Sequence, residues 1–387
     1  DNVGGIVGTM AASAALTVNA GTTDIVINVA TGGSTAGGLV GKMESGATLT
    51  VNADSITVNQ VTAAATDGSN VGTLVGEATN PIVTELPAGI AAAADHIGLT
   101  GYNVGGLVGK LTLDGQSAQP PIAGVTGLIL KGTNCGGLYG VLSSSVSFAV
   151  PAIQTFGYFD DGEFNPNITT SVTATHLSSG AGDAGSAGGV IGLYCPTSTE
   201  TAPVTLQFTD ASTNVTVNED NNKFANVGGM IGSVQPTAGS EKSYVSLSGV
   251  SSLTQNDIPA LHIGGFVGSL ESAPVHLLVN GRVVSARLDS ETTGGLLGLA
   301  DDNGHLVETS DDLTIAVANL TGTIAGGLVG EMKSGVLYLH NVPTLTITTI
   351  PSGASHGWIV GSRGNALVCS EVDWNPIATS NPEKQLN

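Results

Sequence analysis

The residues best suited to chemistry lie in one stretch: Tyr158, Phe159, Asp160, Asp161, Glu163 and Asn165. Asp160, Asp161 and Glu163 put three carboxylates within four positions, and with Asn165 they offer the oxygen ligands that Ca2+ takes. Tyr158 and Phe159 offer rings that stack on a sugar, in a chain that is only 4% aromatic. The segment has a second reading, as an insertion that packs its own aromatics over a flank and leaves its carboxylates in water. Loops on a rigid scaffold are where binding residues collect, so both readings stand. Asp160, Asp161 and Glu163 are the candidate Ca2+ ligands, and all six residues form a candidate ligand site.

Other chemical phrases match by letter and fail by context. Gly353-Ala354-Ser355-His356-Gly357 spells the GxSxG nucleophile elbow, which needs a following helix and then Asp and His; no histidine follows His356. Gly180-Ala181-Gly182-Asp183-Ala184-Gly185 spells GxGxxG but leads into Ser186-Ala187 and a glycine motif, not a helix. HExxH is absent, and Gly41-Lys42 is followed by Met43, where a phosphate loop needs Ser or Thr. The seven histidines are scattered without a partner at metal-ligand spacing and read as solvated or packed. Glu219-Asp220, Asp301-Asp302 and Asp311-Asp312 lie beside Asn, Ser or Gly and read as turn residues that accept backbone hydrogen bonds. Cys135, Cys195 and Cys369 are an odd count without CxxC spacing, which suits buried or inert thiols. Asn167, Asn214 and Asn319 open formal glycosylation sequons. No residue is assigned a catalytic role, and the chain reads as a non-enzyme.

The elements that must position any site are set by a repeat. Gly-Gly-apolar-apolar-Gly opens at Gly4, Gly37, Gly72, Gly105, Gly136, Gly188, Gly228, Gly264, Gly294, Gly326 and Gly357. Thr73 and Trp358 replace the second glycine in two copies. Representative structural glycines are Gly37, Gly38, Gly41, Gly105, Gly106, Gly109, Gly326, Gly327 and Gly330. A period near 33 running end to end is the signature of stacked units. In the unit 37–71 the motif leads to a polar turn, then to Ala47-Thr48-Leu49-Thr50-Val51. A second turn at Asn52-Ala53-Asp54 precedes Ser55-Ile56-Thr57-Val58. Apolar residues alternating with Thr mean half-buried strands.

The expected fold is therefore all-β: a parallel β-solenoid of about eleven coils, each with roughly 33 residues and three short strands. One of the two apolar motif residues is expected to face inward. Residues 87–97 form the only plausible helical turn. The solenoid is expected to run as one domain over 1–373, with an insertion around 150–187 and a tail or partial cap at 374–387. Both chain ends read as cuts through a longer protein.

Composition narrows the partners. A net charge of −21 with ten Lys and Arg leaves no cationic stripe for nucleic acid. No run of about 18 apolar residues suggests a membrane span. An acidic, Thr/Ser/Asn-rich surface suits an exported protein and can hold divalent cations.

Gly38-Leu39-Val40-Gly41, Gly106-Leu107-Val108-Gly109 and Gly327-Leu328-Val329-Gly330 resemble the GLUG motif, a short Gly-Leu-any-Gly repeat. The resemblance implies a repeat region of a large exported bacterial protein, adhesin-like or protease-like, at the cell surface. The expected role is a non-catalytic stalk or binding scaffold with a protein or glycan receptor. Its alternatives are a carbohydrate-binding or polysaccharide-cleaving β-helix using acidic loops, and a subunit that self-associates end to end or side by side.

Overall fold

The computed structural model describes residues 1–370 except 88, 116–117, 151–167, 177–184, 219–223, 256–259, 311, 342 and 351–354. Among them there is no helix, and the chain is a parallel β-solenoid of about ten turns, about 33 residues each. One sheet holds eleven strands, one per motif, from Val7–Met10 through Val40–Met43 and Val267–Leu270 to Val360–Arg363. A continuous 24-stranded sheet carries most of the rest, and Ala15–Gly21, Thr48–Ala53 and Ile82–Thr84 make a small third sheet in the first coils.

The motif sits at a corner. Its first glycine ends a three-residue strand such as Asn103–Gly105, the second glycine and first apolar residue make the bend, and the second apolar residue opens Val108–Leu113. In the coils after the first both apolar residues are buried, as with Leu107 and Val108 or Phe266 and Val267. This corrects the expectation that only one faces inward: a bend breaks the alternation of a strand, so consecutive side chains share the inner side. The corner is also the stacking device. The amides of Leu107 and Val108 both donate to the carbonyl of Leu138, at 2.9 and 3.1 Å, and the same forked bond joins Leu296 and Leu297 to Leu328.

Glycine is required there by close approach. A Cβ on Gly37, Gly105 or Gly326 would overlap the carbonyl of the residue three further along its own coil. On Gly38, Gly106 or Gly327 it would overlap a carbonyl of the next coil. On Gly41, Gly109 or Gly330 it would crowd the equivalent glycine carbonyl of the preceding coil. Thr73 is accommodated in the third copy, fully buried and with its hydroxyl unpartnered by the protein.

Beyond the corner, period-two alternation buries Leu49 and Val51 of Thr48–Ala53 and half-exposes the threonines between them. The middle and third segments are not always separate strands. They fuse into Val204–Asn218, Ser243–Gln255 and Val275–Gly294. A single residue of positive φ turns each corner, at Asp210, Gly249 and Gly281, so hydrogen bonding runs through where a turn was expected. The expected helical turn is also corrected: Gly89–Ala92 is a strand, with Ile90, Ala91 and Ala92 opposite Ile56, Thr57 and Val58. Pairing with two neighbouring coils outweighs the helical preference of the four alanines at 91–94.

Candidate functional site

The expected site at Tyr158, Phe159, Asp160, Asp161, Glu163 and Asn165 lies outside the described residues, and so do Glu219, Asp220 and Asp311. The described coils assemble a different constellation. Strand alternation points Val245, Leu277, Val307 and Leu337 into the core and leaves Tyr244, His276, Glu308 and Tyr338 on the outer face. His276 stands beside Tyr244 and Leu306 in neighbouring coils, and Glu308 stands beside Leu278 and Tyr338. A diagonal stripe results. The His276 ring lies 5.4 Å from that of Tyr244, and its Nε2 donates to Glu308 Oε2. His340 Nε2 is 3.9 Å from the other carboxylate oxygen, and the His340 ring meets Tyr338 edge-on at 4.9 Å.

Beside this stripe a groove of about 220 Å3 crosses three coils, lined by Glu241, Lys242, Tyr244, Pro274, His276 and Leu306 among others. Its floor is held from below. The Val275 amide donates to His305 Nδ1 at 3.2 Å, and His305 Nε2 donates to Asp301 Oδ1 at 2.7 Å. The imidazole is therefore a neutral tautomer, and its burial lowers its pKa despite the attraction of Asp301. Burial raises the Asp301 carboxyl, but the Asn303 amide, the His305 ring and the Ser272 amide outweigh it and hold its pKa low. Asp301 is thus the turn acceptor expected of it.

The remaining sequence candidates resolve individually. Ser355 belongs to a turn and His356–Gly357 to a strand paired with Ala325 and Gly326, while His356 Nε2 donates to the Gly322 carbonyl, so no elbow forms. Cys135, Cys195 and Cys369 are free. Burial raises the Cys135 thiol strongly and the Cys195 thiol to about 11, whereas Cys369 is exposed. Among the described residues no three His, Cys, Asp or Glu side chains gather to hold a metal ion. No described helix is long and apolar enough to cross a membrane.

The stripe escaped sequence reasoning although a signal was present. Tyr244, His276, Glu308 and His340 follow one another at steps of 32, about one coil. In a solenoid, neighbours on a face are one period apart, not three or four residues apart. Comparison with protein families, with characterised proteins and with solved structures finds no match.

Proposed function

We propose that this chain is a rigid, non-catalytic scaffold of an exported microbial surface protein, presenting a ligand-binding face. The observation that carries the proposal is the stripe of Tyr244, His276, Glu308, Tyr338 and His340, set on strands whose backbones are locked coil to coil. Two aromatics and two histidines on one face of an aromatic-poor chain are costly to keep exposed without a use, because aromatic and amphipathic rings are the groups that dominate recognition. The Gly-Leu-any-Gly likeness supports the exported, adhesin-like setting. The net charge of −21 disfavours nucleic acid as the partner.

The test is a screen of the whole chain against glycans, extracellular-matrix proteins and polysaccharides, with binding and cleavage scored separately. Binding without products, weakened by Tyr244→Ala, is the expected result. Released products would overturn the non-catalytic assignment.

A further inference from the structure

We infer that the groove crossing residues 241–244, 274–276 and 304–306 is a glycan subsite that seats one neutral sugar ring. Size comes first. At about 220 Å3 the groove falls below the roughly 300–1,000 Å3 of pockets for drug-sized ligands. A single ring or the end of a chain fits that volume.

Chemistry narrows the class. Tyr244 and Pro274 line the groove together with the aliphatic Leu306, giving surface against which the C–H face of a ring can lie. Around it stand an acceptor, Glu241, and a donor, Lys242. His276 completes the set. Its Nε2 is held by Glu308, which leaves Nδ1 for a ligand hydroxyl. Hydroxyl groups both donate and accept, so a polyol satisfies all three. An anion would meet Glu241 and, two coils on in the coil of Leu306, Glu308, with Lys242 in compensation. An acyl chain would leave these charged groups without partners at an open rim. The column that lines the groove continues from Leu306 to Val336 in the next coil, so a glycan of several rings extends in the coil-stacking direction at about 4.8 Å per coil.

This inference rests on the scaffold reading and can fail separately from it. Isothermal titration of the full chain with neutral glucose-, mannose- and N-acetylglucosamine-based oligosaccharides of one to six rings tests it. At least one series is expected to bind, with affinity rising from one ring to three. Tyr244→Ala and Lys242→Ala are expected to weaken binding tenfold or more, while Tyr244→Phe keeps most of it and Ser252→Ala, on another strand segment, keeps all of it. Circular dichroism of each variant separates a lost site from a lost fold. Binding that survives Tyr244→Ala in a folded variant overturns the subsite and leaves the scaffold standing. Absence of binding to every series at millimolar concentration overturns the subsite too, and the scaffold then depends on the wider screen.

Discussion

His262 shows how far burial moves one side chain. It occupies a column of small polar residues, between Asn226 and Thr292, with a buried Nδ1 that has no protein partner. Burial, aided by repulsion from Lys333, lowers its pKa from 6.5 to about 4. Because the folded value lies below the unfolded one, the unfolded chain takes up the proton first as pH falls. Stability is complete above about pH 6.5 and declines toward pH 4, by up to about 3 kcal/mol from this residue. His305, also lowered, adds a loss of the same sign. Denaturant midpoints measured between pH 8 and pH 4 should therefore drop, and His262→Gln should flatten part of the slope. Glycine supplies the second residue-scale expectation. Gly265→Ala forces a Cβ into the Gly295 carbonyl and the Val283 side chain, whereas Gly32→Ala meets nothing within 4 Å. A loss of about 1–3 kcal/mol is expected for the first and almost none for the second, read from chemical denaturation.

Between adjacent coils, side chains are tied as well as backbones. Asn134 Nδ2 donates to Asn103 Oδ1 at 2.8 Å, Asn103 Nδ2 to Asn70 Oδ1 at 2.9 Å, and Asn70 Nδ2 to Glu77 at 3.0 Å. Replacing Asn103 by Ala strands an amide above and an oxygen below in a buried column. The expected cost is about 1–3 kcal/mol by denaturant titration, against about zero for Ser252→Ala on a half-exposed position. Farther along the stack the core column 56, 90 and 125 turns polar at Thr170, Thr213 and Ser251. Each hydroxyl donates to a motif-glycine carbonyl, of Gly189, Gly229 and Gly265, at 2.6–2.8 Å. Three hydroxyls are tolerated in the core because each has a carbonyl within reach.

At the level of the whole molecule, eleven stacked strands at about 4.8 Å make a rod with about 48 Å between the first strand and the last. Small-angle scattering should show an elongated particle of constant cross-section; a compact sphere would contradict it. A charge of −21 on this rod repels itself, so its melting temperature should rise when salt is raised from about 10 to 150 mM, as the Debye length shortens. Insensitivity to salt would mean that the acidic residues are spaced too widely to interact.

The eleven-fold motif was enough to declare a stacked all-β solenoid, because Gly-Gly-apolar-apolar-Gly has a steric reason to recur only where coils approach closely. Alternating Leu-Thr-Val segments likewise announced which faces are buried. Other features were decided between coils. Fusion of strands through Asp210, Gly249 and Gly281 depends on a hydrogen-bond ladder to neighbours that no local window contains. The meeting of Tyr244, His276, Glu308 and His340 depends on stacking register, which brings residues 32 apart within reach of each other. Sequence by itself determined the repeat and hence the rod. Only tertiary structure decided which side chains share a face, because in a solenoid lateral neighbours are set by coil register and not by proximity along the chain.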